Sequence, residues 1–562
     1  MSADGRLRVV LYWHMHQPEY RDPLSGHYVA PWTYLHALKD YTDMAAHLEA
    51  ETGAAAVVNF SPILLDELDD YCTQLDDFFS GTGGLRDPLL VALAQPALPE
   101  TEAAQRTLMQ ACLMLQRERM VNRYAPYRRL AEMADWMLAR SDMFHYLDAR
   151  VVGDLLVWYH LAWLGEAAHR SDARVAQLID KEHHFTADDR RLILQIVHEL
   201  LSTLMRRYRT LAEAKRVELS MNPYAHPILP LLLDFASAQE ACPGLPLPSS
   251  AVYPTGAERA GWHVEHGKNV HRRDFGAVPA GCWPSEGAVS TAAVKLLDNA
   301  GFRWTASSQR VLLNSLGLDG AGSEVVHRAY ALPDRRIAMF FRDDELSDLI
   351  GFQYKDWHAD DAVANLIVRL TSIADEPGAG AGRVVTIALD GENAWEHYPE
   401  NGYHFLAALY HKLAHHPQLR LTTFSACLDD PDIQVRPLPR LVAGSWVHGD
   451  LTTWIGHRDK NRAWDMLVAV RERVDAVLAA GRLDPTDRAK LERQLAVCEG
   501  SDWFWWPGDY NPEVAVAHFD HLYRMQLAGL YHLLGESPPD YLALPFSHGN
   551  AQATGGVMRP SS

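Results

Sequence analysis

The 562-residue chain is poor in the features that mark several protein classes. Its six cysteines (Cys72, Cys112, Cys242, Cys282, Cys427 and Cys498) are scattered, with no C-x-x-C and no regular spacing. That pattern fits reduced thiols and argues against a disulfide scaffold. Basic charge is scarce as well: 52 Lys+Arg stand against 72 Asp+Glu, a net charge of −20. The basic footprint that nucleic acid or an anionic membrane surface requires is therefore missing. No apolar run reaches the roughly 18 residues of a membrane-crossing helix. The first residues pass directly into the short apolar stretch Leu7–Tyr12, without the basic start and longer apolar core of a secretory signal. A soluble, cytoplasmic chain is expected. There is also no phosphate-binding glycine loop and no internal repeat, and no low-complexity tract beyond a Gly-Ala run at 378–382. Against these absences stands an aromatic excess: 16 Trp and 22 Tyr, joined by 28 His. Apolar residues at 48% and charged residues at 22% are the proportions of a folded globular protein.

Short β-branched or apolar runs at Leu7–Tyr12, Ala56–Phe60, Arg303–Ala306 and Val384–Leu389 read as strands, each followed by a polar or aromatic loop. Strand, loop and helix in alternation predict a parallel α/β architecture. From about 102 to 217 the pattern turns helical. Leu192, Ile196, Leu200 and Leu204 repeat at helical spacing, so this block reads as an insertion in the α/β frame. A second helical region starts near Asn461 and runs through Leu534. Residues 236–256, rich in Pro, Ser and Gly, read as a surface loop, and the small, polar tail from Gly549 as disordered.

Three segments carry candidate chemistry. In Tyr12-Trp-His-Met-His-Gln-Pro-Glu-Tyr20, His14 and His16 are two apart at a strand end and so share a face. They could bind a metal or the hydroxyls of a polar substrate, or be satisfied core histidines. In Gly281-Cys-Trp-Pro-Ser-Glu286, the glutamate sits at a strand-to-helix junction, where it could act in catalysis or simply favour a helix dipole. In Leu389-Asp-Gly-Glu392, an apolar strand ends in two carboxylates, which are poor core material because a buried unpaired charge is costly. Two carboxyl groups from different strand ends are what glycoside hydrolysis needs. Trp13, Trp283, Trp395, Trp446 and Trp454 fall beside these segments and offer faces for sugar rings. An acidic, tryptophan-rich chain suits a neutral carbohydrate.

Taken together the segments resemble glycoside hydrolase family 57, in its amylopullulanase and α-amylase branch. The family's five short regions have counterparts in order. They are His14-Met-His-Gln-Pro18, the stretch from Val217 through His226 to Pro230, Gly281–Glu286, Leu389–Glu392, and Gly444–His457. A further stretch, Phe341–Phe352, also resembles this branch. The resemblance implies an incomplete (β/α)7 barrel with a helical insertion at about 102–217, the catalytic part spanning 1–455. A C-terminal helical region at 456–548 would help close the site, followed by the tail 549–562. It implies Glu286 as nucleophile and Asp390 as general acid/base of a retaining reaction, with their carboxyl groups roughly 5–5.5 Å apart. His14, His16, Glu218, His226, Trp283, Glu392, Trp395, Asp450 and Trp454 would bind substrate. No catalytic metal or other cofactor is expected. The implied substrate is an α-glucan or maltooligosaccharide, cleaved at α-1,4 or α-1,6 links; 4-α-glucanotransferase or branching-type transfer on the same site is the alternative. Two rivals remain. One is metal-dependent carbohydrate deacetylation, for which His411 and His415 have a suitable spacing if they are not just a solvated helix end. The other is a non-catalytic glucan binder.

Overall fold

The computed structural model describes residues 5–551 except 321, 378–381 and 482. The Gly-Ala run, but for Gly382, and the tail beyond 551 lie outside the described residues. Nine strands are present among those described: β1 (Leu7–Met15), β2 (Ala56–Phe60), β3 (Val217–Met221), β4 (Trp304–Ser308), β5 (Tyr330–Ala331), β6 (Ala338–Arg342), β7 (Val384–Asp390), β8 (Leu419–Leu421) and β9 (Arg436–Pro437). β1 is the central strand. It pairs in parallel with β2, Met15 opposite Phe60, and with β7, His14 opposite Asp390. β2 continues to β3, and β6 joins β4 on one side and β7 on the other.

A segment too short to be a strand closes the ring. The Trp283 N–H donates to the Met221 carbonyl of β3 at 2.9 Å, and the Cys282 N–H to the Trp304 carbonyl of β4 at 3.2 Å. Both bridges are parallel. The ring therefore runs β1, β2, β3, Gly281–Trp283, β4, β6, β7 and back to β1. The architecture is mixed α/β, a (β/α)7-type barrel, as the sequence implies. β8 lies alongside the start of β1, and β5 and β9 extend the edge.

All nine residues of β1 are buried, as a strand covered on both faces must be. Its two faces serve different cores. Leu7, Val9, Leu11, Trp13 and Met15 face the helices in one large cluster. Val10 and Tyr12 face inward, with Val57, Trp283, Trp304, Ala306, Phe340 and Ala388 from the other ring members. Side chains alternate along a strand, so the inward rows of β1, β2, β6 and β7 can be followed to their carboxyl ends. They finish in His14, Asn59, Arg342 and Asp390, and the row of β3 in Ser220. The barrel is apolar within and polar at one mouth.

Helices Glu102–Ala111, Ala125–Leu138, Ala149–Ala162 and Ala187–Glu213, with shorter ones between, fill the stretch before β3. Helices Arg458–Ala479, Pro485–Cys498 and Glu513–Leu533 follow the barrel. Side chains from both helical stretches belong to the same large core as the outer face of β1. No helix among the described residues is long and apolar enough to cross a membrane.

Candidate active site

The polar mouth opens into a cavity of about 700 Å³. His14, His16, His226, Glu286, Arg342, Asp390, Glu392 and Asp502 line it, with Trp32, Trp163, Trp446, Trp505 and Trp506. One wall is the turn Leu113–Gln116, which gives the inserted helical stretch a share in the site.

A chain of hydrogen bonds crosses the mouth. Asn59 donates its Nδ2 to Ser220 Oγ at 3.0 Å, which turns its Oδ1 toward His14 Nδ1 at 2.8 Å. His14 Nδ1 must therefore carry the proton, and its Nε2 accepts from His226 Nε2 at 3.1 Å. His226 Nδ1 then accepts from Ser501 Oγ at 2.8 Å. The same hydroxyl lies 3.4 Å from Glu286 Oε1, so one proton serves two acceptors. His16 stacks on His226 with ring centroids 3.8 Å apart. Its Nδ1 meets Ser61 Oγ at 2.8 Å and its Nε2 meets both Asp502 oxygens at 3.1 Å.

Glu286 follows the ring-closing segment on a turn of left-handed backbone, φ 59° and ψ 23°. For a residue with a side chain this conformation costs on the order of 1–3 kcal/mol and persists only where its surroundings hold it. Here Trp446 does so twice: its backbone N–H donates to the Glu286 carbonyl at 3.0 Å, and its indole Nε1 to Oε2 at 2.9 Å. Asp390 ends β7 and accepts from Asn393 Nδ2 at 2.9 Å. Glu392 is buried and faces the His16 backbone N–H at 3.4 Å. Gly391 separates these two carboxylates, and its N–H donates to the His14 carbonyl at 2.6 Å.

Burial dominates the electrostatics. It pushes the Glu286 carboxyl up to about 8, with the negative charges of Asp390 and Asp502 adding to the effect. Burial also raises Asp390, opposed by Asn393, and raises Glu392 well above the usual carboxylate range, with Asp390 adding. The pair Glu286 and Asp390 therefore holds a proton near neutrality. Burial lowers His14 to about 3 and His226 well below its usual range, with His16 contributing to both, so the two are neutral imidazoles.

The family model of Glycosyl hydrolase family 57 matches residues 10–438, which takes in the mouth-forming ends of every ring strand. The chain belongs to this family. It is accordingly an enzyme of the glycoside hydrolase class. Solved structures agree in fold. The family 57 branching enzyme of the archaeon Thermococcus kodakaraensis is 14% identical, with TM-score 0.57, over 94% of this chain and 89% of its own. The branching enzyme of Pyrococcus horikoshii is 16% identical, with TM-score 0.56, over 99% and 100%. The α-amylase AmyC of Thermotoga maritima is 13% identical, with TM-score 0.55, over 94% and 93%. No curated protein matches the chain in sequence.

Within this family 57 chain, the structure gathers His14, His16, His226, Glu286, Asp390 and Glu392 at one cavity and leaves the other candidates outside it. Glu218 is the largest departure. It stands at the start of β3, so its inward side chain is at the opposite end of the barrel. There it accepts from Trp304 Nε1 at 2.7 Å and from the Ser425 N–H at 2.9 Å. Trp283, Trp395 and Trp454 are no more than 1% exposed and pack in the core. Trp283 backs the wall behind Trp446, with ring centroids 5.3 Å apart. Trp395 folds back to donate to the Gly391 carbonyl at 3.0 Å, bracing the carboxylate turn. Asp450 accepts from Thr452 and shapes its own loop. Ser501, Asp502 and Asn59 are site residues outside the motifs, and Arg342 lies in the Phe341–Phe352 stretch without being singled out by it. Of the tryptophans at 503, 505 and 506, the last two reach the cavity and Trp503 is core.

His16, His226 and Asp502 also form a group whose ligand atoms are close enough to share a metal. The geometry does not fit one. The two rings lie nearly parallel, 16° apart, so their in-plane lone pairs do not converge, and each ring nitrogen already has a partner. His411 and His415 stand with Glu51, where β2 and β8 begin, at the far end of the barrel from Asp390.

Proposed function

We propose that the chain is a retaining α-glucan hydrolase of the α-amylase and amylopullulanase type, cleaving α-1,4 links with α-1,6 links also within its reach. The observation that carries this reading is the convergence of Glu286 and Asp390, from two different ring members, on one tryptophan-lined cavity. Glu286 attacks the anomeric carbon and forms a covalent glycosyl-enzyme. Asp390 gives its proton to the departing glycosidic oxygen and then takes one from the water that releases the sugar. The reactive form needs the shared proton on Asp390. The indole of Trp446 and the hydroxyl of Ser501 favour charge on Glu286, and a sugar carbon turning cationic beside it favours that charge further. Neutral His14 and His226 have both ring nitrogens engaged and hold the Ser501 hydroxyl beside Glu286, while Trp446, Trp505 and Trp506 offer faces to the rings.

The test is product analysis on maltooligosaccharides, glycogen and pullulan with the parent and with Glu286→Gln. Shorter oligosaccharides of retained configuration from the parent, and loss of turnover by at least ~10³-fold in the variant, are expected. Unchanged turnover in Glu286→Gln overturns the reading. Products longer than the starting oligosaccharide assign the same site to glucan transfer, the activity type of the branching enzymes that share the fold.

A further inference from the structure

Outside the cavity, one group of side chains has the make-up of a metal site. His411 and His415 are four apart at the end of helix Tyr403–Ala414, with ring centroids 4.6 Å apart and ring planes tilted by 41°. Glu51 reaches them from a separate segment, the turn between helix Thr42–Ala50 and β2. Its Oε2 is 3.0 Å from His411 Nδ1 and 4.0 Å from His415 Nδ1. We infer that Glu51, His411 and His415 form a binding site for a zinc-class divalent transition ion, which ties the last turn of helix Tyr403–Ala414 to the turn leading into β2.

Three features support a ligand set over a solvated helix end. The donor types suit zinc: two imidazoles and a carboxylate, with water completing four-coordination. Each side chain is also held by its neighbours. His415 Nδ1, 4.0 Å from Glu51 Oε2, lies 2.9 Å from the His411 carbonyl, which holds the ring beside the carboxylate until an ion replaces that contact. Glu51 Oε1 accepts from the Gly53 N–H at 3.2 Å, which fixes the carboxylate plane. Finally, the two rings are tilted rather than parallel, and one ligand atom from each of the three residues lies within 4.8 Å of the others. On binding, the ion replaces the proton shared by His411 Nδ1 and Glu51 Oε2, and that proton passes to solvent. The site lies where strands begin, remote from Glu286 and Asp390, so its role is to fasten the frame, and it stands or falls independently of the proposed reaction.

The experiment is calorimetric titration of zinc chloride into the metal-stripped full-length protein, beside the double variant His411→Ala/His415→Ala and the single variant Glu51→Gln. Both histidine side chains are more than 60% exposed, so the double variant should fold and keep its glucan activity. The parent should take up one equivalent that the double variant lacks, and Glu51→Gln should bind it at least ~10-fold more weakly. At zinc about 100-fold above its dissociation constant, the parent melting temperature should rise by about 2 °C, and that of the double variant should not. Equal zinc stoichiometry in parent and double variant overturns the inference. So does the absence of any binding by the parent up to ~100 μM zinc.

Discussion

Glu499 lies two residues before Ser501, and its burial makes a quantitative demand on the protein. It is fully buried and closes a bidentate pair with Arg259, at 2.9 Å to Nε and 2.8 Å to Nη2. It also meets His263 Nε2 at 2.7 Å and accepts from the Tyr253 hydroxyl at 2.6 Å. Through these bonds, helix Gly256–Phe275 anchors the segment that carries Ser501, Asp502, Trp505 and Trp506 into the cavity. Glu499→Gln keeps the shape, removes the charge and leaves a buried guanidinium unpaired, which costs about 3–5 kcal/mol. Melting temperature is a poor reporter of that loss. At about 2.1 cal/mol/K per residue, unfolding a chain of this length carries ~1.2 kcal/mol/K of entropy, so ~4 kcal/mol moves the midpoint by only ~3 °C. Local opening is the sensitive quantity. Amide exchange of a peptide spanning 495–511 should speed up by ~10²- to 10³-fold in the variant, while exchange in β1 and β7 stays unchanged. The difference should narrow in acid. Burial alone would raise the Glu499 carboxyl, but Arg259 and His263 hold it well below the usual range. Its contribution is thus present above the unfolded value near 4.5 and is lost as pH falls below it. Exchange of the 495–511 peptide within threefold of the parent at neutral pH would refute the anchoring argument.

Glu286 makes the opposite pH prediction. Its carboxyl is raised to about 8 by burial first, so the folded protein holds a proton there that the unfolded chain releases near 4.5. Stability is lost as pH rises between those values, by up to ~1.4 kcal/mol per unit. Glu286→Gln should therefore abolish turnover yet be more stable than the parent at pH 8, with the gain vanishing near pH 4.5 in denaturant titrations; equal stability at both pH values would contradict the burial. A methyl group at Gly391 would overlap Met15 Sδ and meet the His14 carbonyl at 3.2 Å. Gly391→Ala should push the turn off β1, displace Asp390 and Glu392, and lower kcat/KM on maltooligosaccharides by ~10²-fold. A parent-like value would show that the turn is free to move.

Strand-end residues were legible in the sequence because the inward row of a strand changes from apolar to polar where it leaves the barrel. Val10, Tyr12 and His14 on β1, and Val384, Ala388 and Asp390 on β7, follow that course, with His16 and Glu392 just beyond. Glu218 misleads because it belongs to an inward row but at the row's other end. A motif placed near a strand does not say at which end of it a residue falls, and only the register, Val57 opposite Glu218, settles that. The tryptophans mislead for a related reason. Nearness in sequence to a carboxylate fixes neither direction nor face: Trp13 points to the helices while His14 points to the cavity, and Trp395 turns back to brace Gly391.

Ser501 and Asp502 are beyond any local signal, because they meet Glu286 and His16 across 215 and 486 residues of chain. Their arrival has a consequence for how the site works. The barrel alone offers Glu286 the indole of Trp446, the neutral His226 and the repulsion of Asp390. The C-terminal segment adds a hydroxyl that can donate to Glu286 and a carboxylate, Asp502, that repels it. A small movement of residues 501–502 would change both the donor and the repelling charge on Glu286, the proposed nucleophile. Under the proposed reaction, the tight fastening of that segment through buried Glu499 is thus part of setting the charge state of Glu286, as well as part of the fold.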